Sequence, residues 1–174
     1  MKFELDKSIE ILERTPQVIE ALLSGLSNEW LRNNEGENTW SPYDVVGHLI
    51  FGEKTDWIVR IKIILDESKN KLFEPFDRFA QLNEDQNKPI DALINEFKLL
   101  REKNLEELTS LKITSKDFNR IGIHPEFGEV TLEQLISTWV VHDLGHIAQI
   151  SRVMSKQYTK EVGPWINYLG VLKK

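Results

Sequence analysis

Apolar residues recur at the three- and four-residue spacing of an amphipathic helix in four stretches of the chain, and polar segments separate these stretches. The separating segments are residues 27–41, 69–88 and 121–129, which are rich in charged residues, asparagine, glycine or proline. The segment 69–88 is the longest and joins the second helix to the third. The pattern predicts an all-α protein whose single domain, residues 1–174, is a four-helix bundle.

The first helical region is interrupted by a proline. Residues 6–14 carry apolar side chains at helical spacing, and Thr15-Pro16 then pairs a residue suited to an N-cap with a proline suited to the first helical position. We therefore expect a helix from Pro16 to about Gly25 that is separated from the preceding one or kinked against it.

The later helices begin at similar signals. Ser41-Pro42 repeats the capping residue and proline, and it opens a long second helix that should run to about Ser68. The third helix is expected over residues 89–111. Thr131, followed by residues suited to a capping box, opens a fourth helix that should extend to about residue 156.

The long connection between the second and third helices is unusual in carrying aromatic residues, Phe73, Phe76 and Phe79. A link of this length can lead the chain back along the bundle, so that the next helix need not be an adjacent antiparallel neighbour. The aromatic side chains have two interpretations. They dock the connection on its own bundle, or they form the contact surface of a homodimer.

The composition of the chain argues against several classes of protein. The chain has 174 residues, a formal net charge of −6 and no cysteine. The negative charge argues against nucleic-acid binding, and no apolar run approaches the length of a membrane span. The absence of cysteine excludes disulfides, thiolate ligands and a cysteine nucleophile. The N-terminus is charged from the start and lacks the apolar core of a secretion signal, so we expect a cytoplasmic protein with a small-molecule substrate.

Three of the four histidines have the spacing of a metal site. His142 and His146 are four residues apart in the fourth helix, so their imidazoles lie on one face. His48 lies in the second helix, and three imidazoles converge if the two helices pack side by side. Three protein ligands with one open position are typical of a catalytic metal site. The alternative is that each is a core histidine with its own hydrogen-bond partner.

A helical wheel assigns neighbours to these histidines. His142 and His146 share an apolar stripe with Trp139, which either walls a pocket or belongs to the core. Gly52 follows His48 by one turn, and the missing side chain would leave room for a ligand beside the metal.

Three other polar residues are candidates for the surroundings of the site. Asp143 either orients an imidazole or is a surface residue of the helix. Asp56, about 80° around the helix from His48, is the better placed of the nearby carboxylates for a general base. His124, in the loop before the fourth helix, either lines the mouth of the site or is a turn residue.

These motifs resemble those of the DinB-like (DinB/YfiT-like) superfamily of metalloenzymes, and they occur in order along nearly the whole chain. The resemblance implies up-down-down-up connectivity and a divalent metal ion held by His48, His142 and His146. The matching segments are Thr15-Pro16, Trp40-Ser41-Pro42, Val46-Gly47-His48-Leu49, His124-Pro125, residues 139–150 and Gly163-Pro164-Trp165.

The donor set allows several reactions. Three imidazoles suit zinc and nickel best, and manganese, iron and cobalt remain compatible. The family resemblance covers both metal-dependent hydrolases and transferases or isomerases that use bacillithiol or mycothiol. Because no carboxylate directly beside the histidines is placed as a base, we expect transfer of a low-molecular-weight thiol of the bacillithiol type to an electrophilic small molecule. The alternatives are a hydrolase of a small molecule and a non-catalytic, stress-induced metal-binding protein.

Overall fold

The protein forms a bundle of four helical legs, as the hydrophobic pattern predicts. The structure, a computed structural model, describes residues 1–67 and 70–173. The first leg comprises α1 and α2, the second α4 and α5, the third α6 and the fourth α7, while the short α3 connects the first two legs. The helices are α1 (Leu5–Leu12), α2 (Thr15–Leu23), α3 (Asn28–Arg32), α4 (Pro42–Thr55), α5 (Trp57–Leu65), α6 (Ile90–Ser110) and α7 (Leu132–Lys156).

The second and third legs run in the same direction. At their beginnings, the Tyr43 hydroxyl donates a hydrogen bond to the carbonyl oxygen of Lys88, with an O···O distance of 3.1 Å. Near their ends, Lys62 on α5 forms an ion pair with Glu107 on α6. The two legs contact each other beginning to beginning and end to end, so α6 lies parallel to α4 and α5.

The first leg runs against the third. Ser24, just after α2, donates a hydrogen bond to Asp91 at the start of α6 (2.8 Å), whereas Leu12 at the end of α1 contacts Arg101 in the second half of α6.

The fourth leg runs against the second. The ring of Trp57 stacks on that of Trp139, and Trp40, before α4, stacks on His146 further along α7. The contacts of all four legs give the up-down-down-up connectivity. Of the helices in the described ranges, none is both long enough and apolar enough to cross a membrane.

Two helix starts follow the predicted capping chemistry, and one does not. Ser41 with Asp44, and Thr131 with Gln134, form capping boxes at the first residues of α4 and α7. The predicted cap at Thr15 is wrong. Its hydroxyl donates to the carbonyl oxygen of Ile11, because the preceding residue keeps helical backbone angles and the chain passes from α1 to α2 with only a kink.

The predicted second helix is broken at Asp56. This residue has φ −113° and ψ −78°, between the end of α4 and the start of α5, and its carboxylate lies 2.5 Å from the Nε of Arg60. An unbroken helix would have placed Val59 on the side of His48, whereas in the structure Val59 faces solvent. The predicted end of the helix, Ser68, lies outside the described residues.

The loop predicted between the third and fourth helices contains a hairpin. Strands β1 (Ile121–His124) and β2 (Gly128–Thr131) pair antiparallel, with Ile121 opposite Thr131 and His124 opposite Gly128. Gly128 has a positive φ of 72°, which glycine adopts readily in a turn. The hairpin leads directly into α7, so its position is fixed by the fourth leg.

The long connection returns along the bundle and is attached to this hairpin. The N–H of Phe73 donates to the carbonyl of Ile123, and the N–H of Ile123 donates to the carbonyl of Lys71 (2.9 and 2.8 Å). A Cβ at Gly122 would lie 2.3 Å from the buried Phe73 ring, so the contact requires glycine. Phe73 therefore docks on its own bundle. The homodimer stays a prediction.

A layer of buried polar side chains crosses the middle of the bundle. Arg101 of α6 donates to both oxygens of Asp143 on α7 (2.6 and 3.1 Å), to Glu53 on α4 (2.7 Å) and to the carbonyl of Leu12 on α1 (2.8 Å). Asn104 donates to the other oxygen of Glu53 (2.9 Å). The guanidinium of Arg101, on the third leg, thus forms hydrogen bonds with each of the other three legs.

Hydrophobic clusters lie on both sides of this polar layer. The cluster on the side where α4 and α6 begin includes Ile19, Val46, Ile94, Phe97 and Ile150. The cluster on the opposite side includes Leu12, Ile61, Leu108, Ile136 and Trp139. The core is therefore divided into two apolar halves, and Arg101 and its carboxylate partners lie between them.

Replacing the central guanidinium tests its importance for stability. Arg101→Met should lower the free energy of unfolding by about 3–5 kcal/mol, because Glu53 and Asp143 would remain buried without their cation. Chemical denaturation followed by circular dichroism measures this change.

Lys98→Met is the matched control, since Lys98 is one turn away on α6 and pairs with Glu20 at the surface. It should cost less than about 1 kcal/mol. Equal losses for the two variants would contradict the central role of Arg101.

Candidate metal centre and its cavity

The packing of α4 against α7 brings the three predicted histidines together. The Nε2 atom of His142 lies 3.0 Å from that of His48 and 3.1 Å from that of His146. One ligand nitrogen from each residue lies within 4.8 Å of the others. Nitrogens bound tetrahedrally to zinc at 2.0–2.1 Å are about 3.4 Å apart, so the spacing fits a single first-row metal ion.

The protonation of the imidazoles also fits a cation. The pKa of His48 is lowered to about 3 and that of His146 to about 4. Burial is the largest cause of both shifts, and the neighbouring imidazoles lower both pKa values further. Both rings are therefore neutral near pH 7 and have a lone pair to offer.

Hydrogen bonding indicates which nitrogens are free. The Nδ1 of His146 lies 2.8 Å from the amide oxygen of Gln149, which accepts a hydrogen bond from the ring N–H and leaves Nε2 free to bind a metal. Within residues 1–67 and 70–173, the buried Nδ1 atoms of His48 and His142 have no hydrogen-bond partner. Three Nε2 atoms that face each other cannot all carry protons at these distances, whereas a shared metal ion satisfies all of them.

Asp143 is not a surface residue of the helix. Its side chain is fully buried, and although burial alone would raise its pKa, the Arg101 guanidinium holds the pKa below the usual value. The nearest carboxylate oxygen is 4.0 Å from the Nδ1 of His142, too far for a hydrogen bond. Asp143 therefore lies next to His142 without a hydrogen bond to it, and its carboxylate is bonded to Arg101 instead.

Asp56 and Glu53, both on the second leg, have different surroundings. Glu53 points away from the imidazoles, towards Arg101, and accepts a hydrogen bond from the indole of Trp139 (3.2 Å). Asp56 lines the same cavity as the histidines, and its burial raises the pKa of its carboxyl group although Arg60 opposes the shift. Of these two carboxylates, only that of Asp56 faces the cavity.

Gly52 and Trp139 have structural surroundings that the helical wheel does not show. A Cβ on Gly52 would lie 3.2 Å from Nε1 of Trp57, whose ring packs 5.0 Å from that of His142. The space beside Gly52 thus holds an indole. Trp139 stacks behind Trp57 and is completely buried, so it belongs to the core and is not part of the cavity wall.

His124 lies on the cavity wall but apart from the imidazole cluster. Its Nδ1 accepts hydrogen bonds from the backbone N–H groups of Glu126 and Phe127 (3.2 and 3.4 Å), and its ring stacks on Phe127. Burial, followed by the charge of Arg60, lowers its pKa. The neutral ring therefore has its proton on Nε2.

The cavity around the imidazoles has a volume of about 790 Å³, which is suited to a small molecule. The indole of Trp40 covers the site, with its ring centre 4.7 Å from that of His48 and 6.2 Å from that of His146. Phe76, from the long connection, places its ring edge-on at 5.5 Å from His48. The wall of the site is therefore formed in part by segments outside the helices that hold the histidines.

Sequence reasoning missed the buried polar partners, although a signal was available. Arg101 and Asn104 follow Phe97 and precede Leu108 at helical spacing on the apolar stripe of α6. A charged residue at such a position requires buried partners of opposite charge. Trp40 lies beside the cap of α4, and nothing in the sequence shows that its ring folds over His48.

The lowered histidine pKa values make the stability of the metal-free protein depend on pH. The unfolded chain, with imidazole pKa values near 6.5, binds more protons than the folded chain as the pH falls, so stability should decrease from about pH 6.5 down to about pH 4. His146 alone should account for about 2 kcal/mol between pH 7.5 and pH 5.

Urea denaturation in the presence of a chelator at these two pH values measures the effect. His146→Gln should lose less stability on acidification than the parent protein. An identical pH dependence in the two proteins would contradict the burial of a neutral His146.

The sequence is similar to those of known bacterial proteins. "Putative metal-dependent hydrolase OB0782" from Oceanobacillus iheyensis is 25% identical over 155 residues, which cover 88% of this chain and 87% of that protein. "Putative metal-dependent hydrolase YfiT" from Bacillus subtilis is 27% identical over 154 residues, which cover 87% of this chain and 85% of that protein.

The fold has a counterpart among solved structures. The structure of YfiT from Bacillus subtilis, described as a probable metal-dependent hydrolase with an unusual four-helix bundle topology, matches with a TM-score of 0.73 and 22% identity over 91% of this chain and 87% of that one. The family model described as the DinB superfamily matches residues 11–150. This segment includes all three converging histidines, and the chain belongs to the DinB superfamily.

Proposed function

We propose that the protein is a divalent-metal-dependent hydrolase of a small molecule, with His48, His142 and His146 as the metal ligands. The convergence of three imidazole Nε2 atoms beside a cavity is the observation that carries the proposal. No fourth histidine, aspartate or glutamate joins the group in the described part of the chain, and three ligands are typical of a catalytic metal site. The names of the relatives support the same class of reaction.

The three imidazoles would hold a divalent ion, for which zinc and nickel are best suited, and when bound it would polarise a substrate carbonyl and lower the pKa of a water towards neutrality. The side chains supply the remaining functions. Asp56 takes up a proton, since burial raises its pKa and its carboxylate lines the cavity. Arg60 holds that carboxylate in place through its Nε. The Nε2 proton of His124 is available to a substrate oxygen.

The indole rings shield part of the imidazole cluster from bulk water. Trp57 packs against His142 from the core side, and Trp40 covers His48 and His146 from the cavity side. Excluding water strengthens the electrostatic interactions among the remaining groups. The opening between the walls leaves room for a small molecule.

Transfer of a low-molecular-weight thiol is the second candidate, and the pairing of the carboxylates favours it. Asp56 is paired with Arg60, while Glu53 and Asp143 are both paired with Arg101. A reaction in which the metal activates a thiolate requires no free carboxylate base. The aromatic walls would then hold the electrophile. Zinc or nickel would suit this reaction as well.

Single substitutions of the histidines test the metal site. His48→Ala, His142→Ala and His146→Ala should each reduce metal content from about one equivalent to well below one, because two imidazoles hold a divalent ion weakly. Elemental analysis of protein reconstituted with zinc or nickel provides the measurement.

His124→Ala is the control and should retain its metal, since this histidine lies apart from the other three. One full equivalent of metal in any of the three ligand variants would exclude the proposed ligand set.

Two substrate panels separate the candidate reactions. Metal-loaded protein should hydrolyse at least one member of a panel of esters, amides and lactones without added thiol. Asp56→Asn should slow this reaction by about 10²-fold, as expected for loss of a general base. His146→Ala should abolish it.

The parallel panel offers electrophiles together with bacillithiol, mycothiol, glutathione or coenzyme A. Turnover that requires a thiol would contradict hydrolysis and would identify thiol transfer as the function. Absence of turnover in both panels would favour the non-catalytic metal-binding protein.

A further inference from the structure

Among the charged side chains that line the cavity, one guanidinium has no carboxylate partner in the described part of the chain. Asp56 is paired with Arg60 at 2.5 Å, and Glu35 is paired with Arg152 at 2.8 Å. Arg78, the remaining charged residue of the lining, has no hydrogen bond or ion pair to a side chain in residues 1–67 and 70–173. A cavity with excess positive charge, in a protein with a net charge of −6, is suited to an anionic ligand.

Arg78 is close to the imidazole cluster. Its guanidinium carbon lies 5.8 Å from the centre of the Trp40 ring and 5.2 Å from the centre of the Phe79 ring. The Trp40 ring in turn lies 4.7 Å from the ring of His48. One indole ring therefore contacts both the guanidinium and the proposed metal ligand, so a small molecule bound by Arg78 can also reach His48.

The cavity wall that includes Arg78 also carries partly exposed aromatic side chains. Phe79 is 49% exposed and Phe127 is 74% exposed, although both line the cavity. Large apolar side chains exposed around a concave site are typical of ligand-binding surfaces. These two rings, together with Trp40, offer faces to a flat or apolar molecular body.

We propose that the substrate of this site is a small monocarboxylate with an apolar or aromatic body, whose carboxylate is bound by Arg78. The body lies against Trp40, Phe79 and Phe127, and the reacting bond lies towards the histidines. A guanidinium binds a carboxylate through paired N–H donors. Among the side chains of the lining, one guanidinium without a carboxylate partner matches one carboxylate of a ligand. The position of the reacting bond rests on the proposed function, whereas the binding of the carboxylate by Arg78 does not.

Matched pairs of acids and amides test the inference by calorimetry on metal-loaded protein. The pairs are phenylacetate with phenylacetamide, 3-phenylpropanoate with its amide, indole-3-acetate with its amide, and octanoate with its amide. For at least one pair, the acid should bind about tenfold more tightly than the amide, as expected for a charge-assisted hydrogen bond near the surface. Arg78→Gln should remove this preference, and Arg78→Lys should restore part of it.

Arg14→Gln is the control, since Arg14 is exposed between α1 and α2 and is not part of the cavity lining. It should retain the tenfold preference. A preference that persists in Arg78→Gln would assign the carboxylate to another group, such as the metal ion, and would overturn the inference. Failure of every pair to bind, or equal binding of acid and amide by the parent protein, would overturn it as well.

The binding measurement is independent of turnover. If the acids bind through Arg78 while both substrate panels remain silent, the carboxylate site stands and the proposed reaction fails. If hydrolysis is observed without any preference for acids, the reaction stands and the assignment of Arg78 fails.

Discussion

The hydrogen bonds of Arg101 are the interaction on which the architecture and the site both depend. The guanidinium joins α6 to α1, α4 and α7, and it neutralises one of the two carboxylates buried with it. Glu53 lies little more than one turn after His48, and Asp143 directly follows His142. Fixing these two carboxylates therefore also fixes the two helices at the height where their imidazoles meet. The geometry of the three Nε2 atoms follows from a buried ion cluster in which none of them takes part.

The polar partners of the imidazoles explain why these rings tolerate burial inside a bundle. A neutral histidine loses hydrogen bonds to water on burial, and it requires a substitute partner. Gln149 provides one for His146, and a shared cation would provide one for all three rings. The apolar halves on either side contribute hydrophobic burial without competing for these groups. Sliding one leg by a single turn, about 5.4 Å, would move Arg101 into an apolar half, so the layer also opposes wrong helix register.

The features that depend on local sequence were predictable, and those that depend on tertiary packing were not. The capping boxes at Ser41 and Thr131 require only neighbours three residues away, and the spacing of His142 and His146 fixes their common face. The break at Asp56 is an exception among the local features, because no proline or glycine marks it, although Asp56 pairs with Arg60 within the same leg. Because the helix breaks at Asp56, the ring of Trp57 occupies the space beside Gly52. The cavity walls come from chain segments whose position depends on contacts such as that between Phe73 and Gly122.

The attachment of the long connection to the hairpin divides the site between two kinds of chain segment. The histidines lie on α4 and α7, whereas Phe76, Arg78 and Phe79 lie on the connection and Phe127 lies on the hairpin. Segments outside the helices accept substitutions more readily than helices that share a packed core. Changes in the connection can therefore alter which molecules enter, while the imidazole cluster and the polar layer stay the same. In this arrangement, selectivity and reactivity can evolve separately within one small domain.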